Sequence, residues 1–367
     1  MEVEGTLELD NILTRRGINR RDFMKLLTAT AVALGLPLSV VPKMAEAVES
    51  GVKKPPVIWL KGQICTGCTT SSISSLDPGP AEIVLDMLSF RYNPTIMAAS
   101  GYHAIQAFDD TVKAGGYLLV VEGSIPTADD RFVMSGGKPI RDKLMQAAAN
   151  AVAVVPVGAC ATYGGIPSAG PTGAVGVDVL VKDKPVINLP GCPVNPRWLY
   201  GTVMHYLLFQ EIPELDAYKR PKVFYGNLLH DNCPRRGRFE RGEFLTDWNS
   251  DEQKDWCLLL KGCKGPKTYT DCAQGLWNDG VNFCINAGSP CSGCTQPEFY
   301  AAGFGDARVG FSPLYEKQNS FALPGIGGID AEKVGKVMAG VTAAGIGLHL
   351  TANVIIGKKN VNGEEGK

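Results

Sequence analysis

All eleven cysteines of this 367-residue chain, taken with His230, fall into three sets of four with none left over. The first set is Cys65, Cys68, Cys160 and Cys192. The second is His230, Cys233, Cys257 and Cys263, and the third is Cys272, Cys284, Cys291 and Cys294. Four thiolate-type ligands are what a cubane iron–sulfur cluster needs, and an imidazole can replace one of them. Three such clusters in one chain would form a path for electrons. Spacing alone does not dictate this partition, and the same cysteines leave disulfides, or zinc at the CxxC pairs, as alternatives. An odd count pairs badly into disulfides, and the chain is far larger than a domain stapled by them.

The N-terminus bears on that choice. Arg20-Arg21-Asp22-Phe23-Met24-Lys25 is a twin-arginine pattern, followed by the apolar run Leu26 to Val41 and a small-x-small cleavage site at Ala45-Glu46-Ala47. Residues 1–47 are therefore expected to be a targeting segment and not part of the fold, the alternative being an ordinary amphipathic helix that begins with two arginines. Loading metal in the reducing cytoplasm before export would account for eleven ligating thiols outside the cell membrane.

Without that segment about 320 residues remain, enough for two domains and a tail. A formal net charge of −1 gives no reason to expect nucleic acid. From Pro56 to about Phe209, short apolar runs alternate with amphipathic stretches. Val57–Leu60, Thr95–Ala98, Tyr117–Val121, Ala151–Val155 and Val186–Leu189 suit strands buried on both faces. Ala81–Phe90, Tyr102–Ala114 and Ile140–Asn150 read as helices between them. The pattern predicts a doubly wound α/β domain with a parallel sheet.

On such a fold Cys65 and Cys68, Cys160 and Cys192 each follow a strand. They collect at the carboxyl edge of the sheet, where open parallel sheets place their sites. Glu122 shares that edge. Its expected role is to hold loop backbone by hydrogen bonding, in preference to handling protons.

After about Pro213 the alternation stops. Residues 220–300 have few long apolar runs and would depend on clusters for cross-links. Val337 to Ile356 is twenty residues without formal charge, flanked by Lys333, Lys336, Lys358 and Lys359. As a helix it would span a bilayer, the alternative being a buried amphipathic helix. Gly340, Ala344, Gly345 and Gly347 suit packing against a partner helix, and His349 is a functional candidate because it would lie within the membrane.

The ordered set of motifs resembles the small, electron-transferring subunit of exported, membrane-bound nickel–iron hydrogenases, essentially end to end. It comprises the twin-arginine leader, Cys65-Thr66-Gly67-Cys68, Val121-Glu122-Gly123-Ser124-Ile125-Pro126 and Gly158-Ala159-Cys160-Ala161-Thr162-Tyr163-Gly164-Gly165. Then follow Pro190-Gly191-Cys192-Pro193, His230-Asp231-Asn232-Cys233-Pro234, Gly262-Cys263-Lys264-Gly265-Pro266 and Cys291-Ser292-Gly293-Cys294.

The resemblance implies a flavodoxin-like domain over 55–215, an irregular iron–sulfur domain over 216–310, a linker over 311–336 and a C-terminal transmembrane helix over 337–356. It implies that the Cys65 set holds a proximal 4Fe–4S cluster and the His230 set a distal 4Fe–4S cluster. Cys272, Cys291 and Cys294 match ligands of a medial cluster, which is 3Fe–4S where proline stands at the position of Cys284. A cysteine there, as in selenium-containing relatives, should complete a cubane and lower its potential. The loop Cys65-Thr66-Gly67-Cys68-Thr69-Thr70 lacks the extra cysteines of oxygen-tolerant members, so an oxygen-sensitive arrangement is expected. Ile64 stands where Gly or Glu is usual.

The implied function is H2 oxidation by a heterodimer, with the nickel–iron centre in a large subunit and no catalytic residue in this chain. Electrons would pass to a membrane cytochrome b or related quinone-linked acceptor on the periplasmic side, with His349 a possible haem ligand or helix contact. The rival readings are a free-standing exported carrier of ferredoxin type and a zinc-stabilised binding protein.

Overall fold

The computed structural model describes residues 20–33, 38–49, 55–76, 79–80, 88–209, 211–278, 280–299, 337–342, 344–346 and 349. The chain divides into two units, Met1–Glu316 and Lys317–Lys367.

The first unit is built on a parallel sheet of β1 (Pro56–Lys61), β2 (Ser89–Tyr92), β3 (Tyr117–Glu122) and β6 (Ala151–Val157), in the order β2-β1-β3-β6. A small antiparallel hairpin, β4 (Met134–Ser135) with β5 (Lys138–Pro139), lies apart from it. Val57 pairs with Leu118, and Lys61 with Glu122, so the strands end level with one another. Side chains alternate between faces along each strand. Ile58, Leu60, Leu119, Val121 and Val154 meet α4 (Gly101–Ala114) and α5 (Ile140–Asn150) through Phe108, Val112, Leu144 and Ala147. Val57, Trp59, Leu118, Val120 and Val155 face the other way. They pack on Trp198, Leu199 and Val203 of α8 (Pro196–Phe209), which opens with the proline that favours a helix start. Every residue of β3 is buried, which at about 1.5–3 kcal/mol for each large apolar side chain makes it the stable spine of the sheet. The expected doubly wound parallel α/β core is the one observed.

Three local expectations are corrected. The second strand is Ser89–Tyr92 and not Thr95–Ala98, because Pro94 lacks a ladder donor and Asn93 folds the chain into a turn. The Asn93 side chain accepts from Thr95 N at 3.0 Å, and its carbonyl accepts from Met97 N at 3.0 Å. Phe90, expected at the end of a helix, is therefore in a strand. Of that helix, residues 81–87 lie outside the described residues. Val186–Leu189 forms only two parallel bridges to β6, at Val186 and Leu189. Ile187 N donates to Val154 O at 2.9 Å and Leu189 N to Pro156 O at 3.0 Å, but Pro156 has no N–H to return to Ile187, and Asn188 on the outer edge donates to Lys219 O at 2.8 Å and Tyr218 O at 2.9 Å.

The N-terminal segment also departs from expectation in one respect. Its described residues form α1 (Arg20–Ala33) and α2 (Val41–Glu49), and Leu27, Ala31, Val40, Val41 and Met44 are buried in the core cluster shared with α8. Lys43 Nζ lies over the Phe209 ring at 4.7 Å. An apolar run takes the nearest apolar surface in water, and here α8 offers it.

Beyond Pro213 the chain is carried by short turns: α9 (Lys222–Tyr225), α10 (Arg236–Glu240), α11 (Cys272–Gly275) and the 3₁₀ turns Leu229–Asn232, Leu259–Lys261 and Gly265–Lys267. Arg220, fully buried, holds this region together. It pairs with Asp216 at 2.7 Å, donates to Thr295 O at 2.8 Å and stacks on Tyr225.

In the second unit the described residues between 337 and 349 are helical and exposed, Val337, Met338, Val341 and Ile346 among them. Among the described residues no helix is long and apolar enough to cross a membrane. The expected span Val337–Ile356 is described only in part, and residues 350–356 lie outside the described set.

Candidate metal centres

The first set of thiols is assembled at the carboxyl edge of the sheet. Cys65 and Cys68 follow β1, Cys68 within α3 (Gly67–Ile73). Cys160 lies in α6 (Gly158–Tyr163) directly after β6, and Cys192 follows the Leu189 bridge. Two glycines let the backbone come this close. Gly158 has φ +84, and a Cβ there would run into Cys68 Sγ. Gly165 has φ +57, and its Cβ would lie 2.7 Å from Cys160 Cα. Burial raises the Cys68 and Cys160 pKa values, and ionised Cys192 would repel both, as Cys160 would Cys68 and Cys65 would Cys160, so the four thiols lie within electrostatic reach of one another. Gly67 N donates to Cys65 Sγ at 3.4 Å, and Val194 N to Cys68 Sγ at 3.4 Å. Cys65 and Cys192 are exposed, as is the neighbouring Ile64, so this set opens to the surface.

Glu122 braces this site. Its buried carboxylate accepts from Trp59 Nε1 at 3.0 Å, from Thr69 N at 3.1 Å and from the Thr69 hydroxyl, and pairs with Lys61 Nζ at 3.4 Å. It therefore ties β1 and β3 to the helix that carries Cys68, which is the backbone-holding role expected of it.

His230, Cys233, Cys257 and Cys263 line one pocket together with Arg235, Leu258, Leu259, Gly265, Pro266 and Ile285. The His230 ring sits edge-on to Phe239, centroids 4.6 Å apart, which fixes its plane. Burial, and then the charge of Arg236, hold the imidazole pKa below its ordinary value. The ring is thereby kept neutral, the form that binds metal.

In the third set the thiols of Cys272, Cys291 and Cys294 are deeply buried. Cys294 feels the charges of Cys272 and Cys284, and Cys291 those of Cys294 and Cys272. Cys272 and Cys291 are buried residues, whereas Cys284 is an exposed residue whose thiol is partly desolvated. Trp277 Nε1 donates to Cys272 Sγ at 3.4 Å, and Gly293 N to Cys291 Sγ at 3.4 Å.

The three sets also touch one another in order. The Cys192 backbone N–H faces the Cys294 thiol, and Cys291 N donates to Cys263 Sγ at 3.4 Å. The third set thus lies between the first and the second.

Burial pushes the Cys160 thiol up to about 12 and that of Cys263 up to about 11. Such thiols stay protonated until metal replaces the proton, so assembly releases protons. Among the described residues, no three His, Cys, Asp or Glu side chains gather about one point as ligands of a single ion do. Ligands of a cubane bind different irons and stand further apart. Paired thiols with backbone N–H donors and an adjoining pocket fit such a group by the chemistry of the donors. Sequence reading missed Lys61, Trp59 and Thr69 around Glu122, and Thr270 and Trp277 around Cys272. Spacing carries no signal for them, because only the fold brings them to the sulfur or carboxylate.

Residues 225–304 match the family model for the C-terminal part of the NiFe/NiFeSe hydrogenase small subunit, and residues 65–206 match that for the 20 kDa subunit of NADH ubiquinone oxidoreductase. The chain is 37% identical over 358 residues to the hydrogenase-1 small chain of Escherichia coli K12, covering 95% of this chain and 93% of that one. It belongs to the nickel–iron hydrogenase small-subunit family. It is 42% identical over 318 residues to the periplasmic [NiFe] hydrogenase small subunit of Solidesulfovibrio fructosivorans, covering 85% and 98% of the two chains. Among solved structures, a reduced, active Ni-Fe-Se hydrogenase from Desulfomicrobium baculatum aligns with a TM-score of 0.65 and 35% identity. That alignment covers 72% of this chain and 100% of that one. This hydrogenase small subunit is the electron-transfer half of a heterodimer. Membership implies iron–sulfur clusters here and a nickel–iron centre in the large partner.

Proposed function

We propose that the chain holds three iron–sulfur clusters in the order proximal, medial, distal and connects the large subunit's site to a membrane acceptor. The supporting observation is the contact order of the thiols, Cys192 against Cys294 and Cys291 against Cys263. In this reading Cys65, Cys68, Cys160 and Cys192 hold the proximal 4Fe–4S cluster. His230, Cys233, Cys257 and Cys263 hold the distal 4Fe–4S cluster. Cys272, Cys284, Cys291 and Cys294 hold a medial 4Fe–4S cluster, which becomes 3Fe–4S if Cys284 does not bind. Bound there, the clusters supply one-electron redox chemistry that accepts the two electrons of H2 oxidation one at a time.

The chain's own residues do the rest. The exposed edge bearing Cys65, Cys192 and Ile64 faces the large subunit. Backbone amides reach the sulfurs of Cys65, Cys68, Cys263 and Cys291, and His230 presents a neutral imidazole where electrons leave. Residues 1–47 direct export by the twin-arginine route, 55–215 form the flavodoxin-like domain, 216–310 hold the medial and distal clusters, and 337–356 anchor the protein on the periplasmic side. A cytochrome b or related quinone-linked subunit receives the electrons beside that anchor.

Affinity purification of the exported complex under anaerobic conditions tests this reading. The chain should come down with a larger nickel-containing chain, brown and bleaching on reduction. A brown chain without a partner would mean a free-standing carrier, and a colourless zinc protein would overturn the cluster assignment.

A further inference from the structure

Side chains approach Cys272 more closely than they do Cys291, where Thr268 Oγ1 lies 3.8 Å from the sulfur. Backbone amides reach Cys65, Cys68, Cys263 and Cys291, each at 3.4 Å. At Cys272 two side chains reach the sulfur: Trp277 Nε1 donates at 3.4 Å, and Thr270 Oγ1 lies 3.1 Å away. An indole N–H can only donate, and a hydroxyl can turn its proton towards an anionic sulfur.

The local structure aims the indole at this sulfur. Leu276 takes φ +52, a strained conformation for leucine, and so turns the chain sharply before Trp277. Trp277 N then donates to Asn282 O at 2.7 Å, and Trp277 O accepts from Val281 N at 3.0 Å. Its ring stands edge-on to Trp198, centroids 5.5 Å apart. Trp198 in turn donates to Asp271 Oδ1 at 2.7 Å, and Arg197 pairs with the other oxygen, so the carboxylate next to Cys272 is compensated.

We propose that Trp277 and Thr270 are positioning residues that hold the medial cluster's potential up, offsetting the fourth thiolate supplied by Cys284. The proposal rests on Cys272 being a ligand of that cluster. Reduction adds one electron to the cluster, with no bond made or broken. Donors on a ligand sulfur stabilise the added negative charge and raise the potential. A fourth thiolate acts in the opposite sense, so the two effects oppose one another at this cluster.

The test is a redox titration of the anaerobic heterodimer, followed by electron paramagnetic resonance and accompanied by iron analysis. In Trp277→Phe the iron content should hold. At a fixed ambient potential the ratio of reduced to oxidised medial cluster should fall about tenfold, which is ~59 mV for a one-electron couple. The proximal and distal signals should not move, and Trp277→His, which keeps a ring N–H, should recover part of the shift. An unmoved medial midpoint at full iron content, or an equal shift of all three clusters, overturns the proposal. If Trp277→Phe fails to load, Thr270→Val gives the same reading with a smaller change in volume: a lowered medial potential supports the role and an unchanged one overturns it. Cys272→Ser separates the two ways of failing. A medial signal unaffected by that variant removes Cys272 from the ligand set and the proposal with it. A signal changed by Cys272→Ser but not by Trp277→Phe overturns the donor role alone.

Discussion

Cys284 decides the chemistry of the third set. It is the most exposed of the four thiols, on a turn where Ser289 N returns to Cys284 O at 2.8 Å, yet it is within electrostatic reach of Cys272 and Cys294. Cys284→Pro should therefore leave the backbone turn nearly intact while removing one iron. The expected result is a 3Fe–4S paramagnetic signal in oxidised protein and a higher medial potential, and an unchanged spectrum would remove Cys284 from the set. His230 is a second single-residue test. Its imidazole lines the pocket with three cysteines, so His230→Ala should slow dye or quinone reduction at least tenfold while sparing hydrogen–deuterium exchange in the partner. Equal loss of both activities would point to a folding defect. The grouping of His230 with Cys233, Cys257 and Cys263 about one pocket was legible because residues of ligand type at motif spacing are a strong signal. Thr270, Trp277 and Thr69 were not, since a hydroxyl or indole is ordinary until the fold shows what it touches.

At the scale of elements, runs such as Tyr117–Val121 and Ala151–Val155 were read correctly because a strand buried on both faces leaves a continuous apolar signature. The misplacement of the second strand shows the limit of that signature. Thr95–Ala98 is apolar enough, but Pro94 and the Asn93 turn spoil the ladder, and the alternating Ser89–Tyr92 takes its place. The weak fifth position at Val186–Leu189 has a similar cause, since Pro156 of β6 has no N–H to complete the ladder with Ile187. The leader helix α1 hides Leu27 and Ala31 against the domain, although its sequence reads as an export signal. Replacing Arg20 and Arg21 with lysine should leave this packing intact and abolish export, keeping both subunits in the cytoplasm in a fractionation assay. Normal periplasmic enzyme from that variant would mean the leader is misread.

In the molecule as a whole, an α/β core that gathers the first thiol set is followed by a turn-rich region that gathers the other two. The parallel sheet and its site-bearing edge could be read from the sequence because continuous apolar runs mark strands buried on both faces and parallel sheets gather their sites at the carboxyl edge. The turn-rich region could not, because its geometry depends on bonds such as those of Arg220 to Asp216 and Thr295 that no periodicity records. The proposed anchor is tested by truncation after Asp330. The shortened protein should be released in soluble form, reduce artificial dyes at the full rate and no longer reduce quinone. Retention on carbonate-washed membranes would place the anchor elsewhere. The central claim, that all twelve ligands serve three clusters, is tested most directly by iron and acid-labile sulfide analysis of the anaerobic heterodimer. About twelve of each per small subunit, beyond the partner's own iron, is the predicted result. A value near eight or below would mean that one set of four holds no cluster, and would contradict the account.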